Sequence, residues 1–441
     1  MKLSKHKLGE LIEVTRGASL SGQFYAEEGE LIRLTLGNFN MNGGGFKENT
    51  SKTDLYYTGT VKDEFILNKG DIITPLTEQS LGLLGTTARI PEDGKYIQSQ
   101  DVALVKCKEG LLDPNFCYYL ISSSIVRQQL SAGAQQTKIR HTSPDKIKDC
   151  TVWVPEFEEQ KRIGRILTDI DEKITLNRQI NDNLEAMAKQ LYDYWFVQFD
   201  FPNEEGKPYK SSGGAMVWNE KLKREIPQEW SDCKLKDFIN LFDSKRVPLS
   251  SKDRGERQGV YPYYGATGIM DYVNDYIFDG DYILLAEDGS TSDAKGFPIV
   301  QYIWGKNWVN NHAHIILPKN ERYTMFTYQM LRSIPAKQIE TGSIQKKISQ
   351  ENLCGYKMVL PNSDLLEKYE NVVSPLWEKR KRCIEEINTL TKQRDELLPL
   401  LMNGQASVNY HLSLHLSNTV LYTLHYLGTV QNHVVRVLKI I

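Results

Sequence analysis

The chain repeats its own sequence at long range, and this restricts its fold more than any other feature. Lys7-Leu-Gly-Glu-Leu-Ile-Glu-Val14 returns 227 residues later as Lys234-Leu-Lys-Asp-Phe-Ile-Asn-Leu241. Gly70-Asp71-Ile72-Ile73 returns 210 residues later as Gly280-Asp281-Tyr282-Ile283. Ala132-Gly133 followed by Gln136 to Ile139 returns as Thr341-Gly342 followed by Gln345 to Ile348, and Val152-Trp-Val-Pro155 returns as Met358-Val-Leu-Pro361. The same phrases in the same order, at a slowly shrinking offset, mark a diverged duplication whose second copy has shorter loops. A length of 441 residues agrees, because one domain usually holds roughly 100–200. Each half has the same grammar: a β-rich, glycine-rich segment, then a V-x-V-P phrase, then a long helix.

Composition narrows the class. With 40% apolar and 25% charged residues the chain is an ordinary globular one, which argues against disordered, collagen-like and membrane classes. Its 54 basic and 56 acidic side chains give a net charge of −2, so no wholesale polyanion-binding surface is advertised. Any nucleic-acid contact must be local, or shared with a partner that brings the positive charge. Six scattered cysteines without a C-x-x-C suggest a reducing cytoplasm rather than a disulfide framework. Met1-Lys-Leu-Ser-Lys-His-Lys7 has no apolar run behind it, so no signal peptide is expected. The apolar stretch Val420 to Ile441 is interrupted by His425, Gln431, Asn432, His433, Arg436 and Lys439 and is not expected to span a membrane.

Short runs such as Glu64 to Leu67, Asp101 to Val105 and His314 to Leu317 predict buried strands. Asp113-Pro114 predicts a helix start that Phe116 to Leu130 continues, matched in the second half by Met325 to Ile334. From Glu158 the apolar positions Ile163, Leu167, Ile170, Ile174, Leu184, Ala188, Leu191 and Trp195 alternate steps of three and four, a heptad seam, with Asn177 and Asn181 inside it. A second seam from about Ser363 carries Leu376, Cys383, Ile387, Leu390, Leu397 and Leu401, with Arg380 and Arg394 intruding. Helices of this length and period need a partner. They are expected to pack on each other as a spacer; the alternative is that each folds onto its own domain.

Catalytic motifs are scarce. The sequence has no P-loop, G-x-S-x-G elbow or H-E-x-x-H. Asp113-Pro-Asn-Phe116 resembles a methyltransferase loop but lacks its second proline, and a helix start accounts for it. Asp93-Gly-Lys95 and Glu205-Gly-Lys207 match a common fragment of nuclease motifs, in polar loops. His312-Ala-His314 would put two rings on one face of a strand, but no third metal ligand is evident, and a DNA-facing or packed strand is preferred; no metal is expected.

What remains are clusters suited to recognition. Tyr263, Tyr264, Thr267, Glu287, Asp288, Asn310, Asn311, His312, Gln345, Lys346 and Lys347 lie in the second half. The matching places in the first half hold Thr77, Glu78, Gln79, Gln100, Gln135, Gln136, Lys138 and Arg140. Amide side chains read adenine, cations read guanine or hold phosphate, and acids accept from cytosine. For any one of these residues loop solvation and capping are the better explanation; their recurrence at matching places in both halves lends weight to recognition.

In this order the phrases resemble the specificity subunit of a type I restriction–modification system. The likeness covers about residues 7–405. It rests on the duplicated K-L-x-[DE]-[LF]-I phrase, Gly280 to Gly289, Val309 to His314, Val154 to Ile163, Asn183-Leu-Glu-Ala-Met-Ala188 and Leu397-Leu-Pro-Leu-Leu-Met-Asn-Gly404. The resemblance implies an α+β fold with two mixed α/β target-recognition domains in pseudo-two-fold arrangement, separated by two long antiparallel coiled-coil helices. It implies target-recognition domains at 1–155 and 213–360, a central helix and linker at 156–212, and a C-terminal coiled-coil helix at 361–405. It further implies a non-catalytic cytoplasmic subunit that reads a split sequence in double-stranded DNA and docks two modification subunits. Those partners would bring S-adenosylmethionine for adenine-N6 methylation. Two restriction subunits, where present, would bring ATP and magnesium. No cofactor is expected in this chain. Two other readings stay open: a self-sufficient DNA methyltransferase or nuclease, which should show a cofactor or metal motif, and a coiled-coil scaffold without DNA function. Residues 406–441 depart from the family, with no acid and four of the eight histidines, and are expected to be an atypical tail.

Overall fold

The computed structural model describes residues 2–406 apart from 42–43, 80–81, 134–139 and 343–345. The tail beyond 406 therefore lies outside the described residues. The chain forms two compact units, one of residues 2–179 with 384–406 and one of residues 180–383, so each unit takes a share of both long helices.

The duplicated phrase makes the same local structure twice. In the first unit the strand Ser4–Lys7 pairs with Thr151–Val154, and in the second Ser231–Lys234 pairs with Lys357–Leu360, both antiparallel. One helical turn follows each strand, at Leu8–Leu11 and Leu235–Phe238. Its leucine, Leu8 or Leu235, is completely buried, and the backbone N–H of that leucine donates to the carbonyl of Cys150 (2.9 Å) or Tyr356 (2.8 Å). The K-L pair thus keeps lysine outside and drives leucine into the core, where burying it contributes roughly 1.5–3 kcal/mol.

Each unit then builds two sheets; the first sheets have the same connectivity, and the second, of five strands in unit one and four in unit two, share a common centre. The first sheet of unit one orders Ile12–Arg16, Val102–Cys107, Ile72–Pro75 and Ala88–Arg89, all antiparallel. Its counterpart orders Ile239–Leu241, Ala313–Pro318, Tyr282–Ala286 and Val300–Ile303, also antiparallel. In the second sheet of unit one, Tyr96–Ile97 runs parallel to Ile32–Arg33 and antiparallel to Ile66–Leu67. In unit two, Lys306–Val309 runs parallel to Gln258–Tyr264 and antiparallel to Phe278–Asp279. One parallel pair at the same place in both sheets is a topological signature that loop divergence has not erased.

The helix at Asp113 begins as expected: Asp113 accepts the Phe116 N–H at 2.9 Å and Pro114 takes the first turn. It does not run unbroken to Leu130. Ser123 is extended, its hydroxyl donates to the Leu120 carbonyl at 2.6 Å, and a new helix spans Ser124–Gly133. A serine that caps its own preceding turn competes with helix continuation, which apolar spacing alone does not register. The second-half counterpart is a single helix, Thr324–Ser333.

The central helix spans Phe157–Tyr192 and the C-terminal helix Ser363–Met402. Within unit one, Asp171 accepts from Arg394 at 2.8 Å and Asn177 donates to Glu386 at 2.8 Å. Within unit two, Glu185 accepts from Arg380 at 2.8 Å and the Ala188 carbonyl from Tyr369 at 3.4 Å. In both units, partners rise along one helix and fall along the other, so the pairing is antiparallel. Ile163, Leu167, Ile170, Ile174, Asn177, Asn181 and Leu184 are buried, as are Cys383 and Leu390, with Ile387 and Leu397 partly buried. Leu376 is a correction. It is half-buried, and the adjacent Trp377, 1% exposed, packs on Tyr302 and Tyr328 of the same unit. The seam arginines that looked like defects are paired with acids of the central helix. The central helix ends in a wide π turn, Asp193–Val197, that carries Trp195 and Phe196 into the core of unit two. Among the described residues no helix is long and apolar enough to cross a membrane.

Candidate nucleic-acid interface

In the second unit, the strand Ala313–Pro318 is buried along its whole length, and His314 on it is fully enclosed. His314 Nδ1 lies 2.6 Å from Asp243 Oδ2, and Nε2 lies 2.8 Å from the Ile348 carbonyl oxygen. The carbonyl can only accept, so Nε2 carries a hydrogen; an ionised Asp243 needs one on Nδ1 as well. The ring is therefore an imidazolium. Burial opposes that charge, but the hydrogen bonds to Asp243 and Ile348 outweigh it and raise the histidine's pKa above its ordinary value. Burial pushes the Asp243 carboxyl up, and His314, the Ile315 N–H (2.9 Å) and the Gln350 amide (2.6 Å) together bring it below the usual carboxylate range.

Glu287 completes the network. Arg246 Nη1 donates to its Oε2 at 2.7 Å, and Lys347 Nζ lies 3.2 Å from its Oε1. Burial raises the Glu287 carboxyl, and Arg246, His314 and Lys347 bring it net downward. Asp243, Glu287 and His314 offer ligand atoms within 4.8 Å of one another, so the tertiary fold supplies the further groups that the sequence hid. Arg246 and Lys347 nevertheless occupy those carboxylates, and the arrangement is an ion-pair network of two acids and three cations. The two histidines do not share a face. His312 precedes the strand and is exposed, with Nδ1 2.7 Å from Asp288 Oδ1.

This network is the floor of a loop. Arg246 Nη1 also donates to the carbonyls of Asn311 (3.3 Å) and Ala313 (2.9 Å), and Asn310 accepts the His312 N–H at 2.8 Å. Asn311, His312, Lys346, Lys347 and Thr267 are exposed, and Tyr264, Glu287 and Asp288 are half-buried. Backbone pairing between Asp288 and Lys347 brings the 287–288, 311–312 and 346–347 segments together.

The first unit uses different chemistry at the matching place. Thr77–Glu78 pairs with Arg140–His141. Glu78 is 1% exposed; its Oε2 accepts the N–H groups of Gly82 (3.1 Å), Leu83 (2.9 Å) and Leu84 (3.0 Å). Its Oε1 lies 3.2 Å from Arg140 Nη1. Gln79 and Gln100 are exposed and Arg140 is half-buried.

Four residues expected at the surface are interior. Thr77, Glu78, Tyr263 and Asn310 are each at most 5% exposed. Glu78 holds the 82–84 backbone, the Tyr263 hydroxyl accepts the Leu249 N–H at 2.9 Å, and Asn310 ties its own loop, so these three brace rather than read. Gln135, Gln136, Lys138 and Gln345 lie outside the described residues. Sequence reasoning missed Asp243, Arg246 and Gln350. A signal existed: by the duplication, Asp243-Ser-Lys-Arg246 stands opposite Arg16-Gly-Ala-Ser19, so a single cation became an acid and two cations directly behind a matched phrase.

A family model described as type I restriction modification DNA specificity domain matches residues 2–186 and 227–370. The type I restriction enzyme MjaIX specificity subunit of Methanocaldococcus jannaschii is 24% identical over 322 residues, covering 68% of this chain and 71% of that protein. The MjaVIII specificity subunit of the same organism is 28% identical over 193 residues, covering 42% and 39%. A crystal structure of the type I restriction–modification system S subunit from M. genitalium shares the fold, with a TM-score of 0.58 at 19% identity over 91% of this chain and 96% of that one.

Proposed function

The chain belongs to the type I restriction modification DNA specificity domain family, and on that premise we propose that it is the DNA-reading subunit of such a complex. Each unit reads one half of a bipartite target in double-stranded DNA, the paired helices set the unread spacer, and the helices dock two modification subunits. The observation that carries this reading is the duplicated two-sheet topology with an exposed polar loop on a buried ionic brace at the matching place in each copy. One topology with divergent loops suits two different half-sites. The subunit has no chemistry of its own in this scheme. S-adenosylmethionine belongs to the modification subunits, and ATP with magnesium to two restriction subunits where they are present; the complex works in the cytoplasm. The modification subunit takes its adenine out of the stack, and this chain chooses which adenine is presented. A near-neutral chain can do so because its partners supply phosphate neutralisation.

The test is co-purification with a modification subunit and mapping of adenine methylation in the presence of S-adenosylmethionine. Methylation confined to a bipartite sequence is expected; none, or methylation without sequence dependence, would sink the reading. Substituting Asn311 or His312 should relax one half of that sequence and Gln100 the other, by about 1–3 kcal/mol of discrimination per lost base contact. Lys138, outside the described residues, should act with Gln100.

A further inference from the structure

The second unit carries a β-hairpin, Gln258–Tyr264 with Ile269–Val273, whose tip is apolar and exposed. Ile269 is 47% and Met270 55% exposed. Such a tip costs solvation unless something covers it. It is also held firmly. The Gln301 amide donates to the carbonyls of Gly265 (3.1 Å) and Ala266 (2.9 Å), and the Asn310 N–H donates to the Tyr264 carbonyl at 3.0 Å. The Asn310 side-chain amide reaches Met270 Sδ at 3.3 Å. The Met270 thioether lies over Gly265, where a β-carbon would push that side chain aside. Asn310 also orders the 311–312 turn through the His312 N–H. One buried asparagine therefore fixes the apolar tip against the loop proposed to face DNA.

The polar groups beside the tip already have partners: Lys347 pairs with Glu287, Arg254 with Asp271 on the hairpin, and His312 lies 2.7 Å from Asp288. What the tip adds toward a duplex is apolar surface. The major groove admits a two-stranded ribbon, and the apolar group it displays is the thymine methyl.

We propose that Ile269 and Met270 are specificity-determining residues that contact a thymine methyl in the half-site read by the second unit. This rests on the DNA-reading function proposed above. The experiment uses the complex with its modification subunit and duplexes carrying the mapped target. Each thymine of the half-site assigned through Asn311→Ala is replaced singly by deoxyuridine, which removes only the methyl group. Methylation efficiency by the native complex should fall about fourfold at one or two positions, the value of one buried methyl-sized group. The Ile269→Ala, Met270→Ala double variant should methylate thymine and uracil duplexes equally well. Uracil replacement without effect on the native complex, or with the same effect on the variant, overturns the proposal while leaving bipartite reading intact. A variant that fails to assemble with the modification subunit also overturns it, since the tip would then cover a protein. Absence of any bipartite methylation overturns the underlying reading as well.

Discussion

In the first unit one enclosed carboxylate, Glu78, gathers three backbone N–H groups and faces one guanidinium. In the second, a network of five ionisable side chains that includes His314 takes the corresponding place. The sheets beneath are connected alike, down to the single parallel pair. The contrast teaches that topology here is set by the anchored leucine turns and the apolar sheets. The polar brace serves only the loop above it, so the brace was free to change its chemistry as the loops diverged.

The sharpest way to break this comparison is to remove each brace. Asp243→Ala removes the carboxylate facing His314 Nδ1, leaving the buried ring only its Ile348 bond and the more distant Glu287, and strands the Ile315 N–H, a loss of about 3–5 kcal/mol. Glu78→Ala strands three N–H groups and should cost about 2–3 kcal/mol. Hydrogen exchange should show each loss confined to its own unit; spread into the other unit would mean that the braces support the whole fold.

Alkaline titration should separate the units next. The His314 pKa is raised, so its contribution is complete below its ordinary 6.5 and disappears as pH climbs through the folded value. Glu370 acts in the same direction: burial pushes it from 4.5 up to about 7, although it accepts the Phe326 N–H at 2.8 Å. The folded unit holds that proton while the unfolded chain sheds it, so stability falls between pH 4.5 and 7 by about 3 kcal/mol. The raised groups of the first unit are tyrosines, cysteines, a lysine and Arg394, which titrate higher. Of the seven tryptophans only Trp153 belongs to the first unit, so tryptophan fluorescence melts follow the second. That signal should lose stability as pH rises from 4.5 to 7, where Glu370 titrates, and again above 6.5 as His314 discharges, and Glu370→Gln should flatten the first part; an unchanged slope there would remove Glu370 from the account.

The helix pair offers a smaller contrast. Asn177 is satisfied by Glu386, whereas the buried side-chain oxygen of Asn181 has no donor among the described residues. Asn181→Leu should therefore stabilise the second unit by about 1 kcal/mol, and Asn177→Leu should not help the first. Equal gains in thermal melts would show that both asparagines are tolerated costs. His312→Ala should be the mildest for folding, under about 0.5 kcal/mol, because the ring is exposed; its effect should appear only in which sequences are methylated.

The duplicated phrases made the two copies, their closing strands and the long helices legible, because leucine burial and heptad spacing are local patterns. Both seam asparagines and most apolar seam positions could be read directly, whereas Leu376 stays half-buried and its neighbour Trp377 is enclosed against Tyr302 and Tyr328, a contact between distant segments that helical spacing does not register. The candidate recognition segments were legible as composition but not as exposure. Thr77, Glu78, Tyr263 and Asn310 look like readers in a polar stretch, and only tertiary closure shows them enclosed. Arg246 and Gln350 were invisible for the converse reason: their partners lie 41 and 107 residues away.

The doubly engaged His314 ring has a calorimetric consequence. The formal charge of −2 counts every histidine as neutral, yet the folded second unit keeps this one charged above the pH at which the free ring discharges. Folding near neutrality therefore takes up a proton and unfolding returns it. The heat of unfolding will contain the ionisation heat of whatever buffer receives that proton, so melts in phosphate and in Tris should differ in enthalpy.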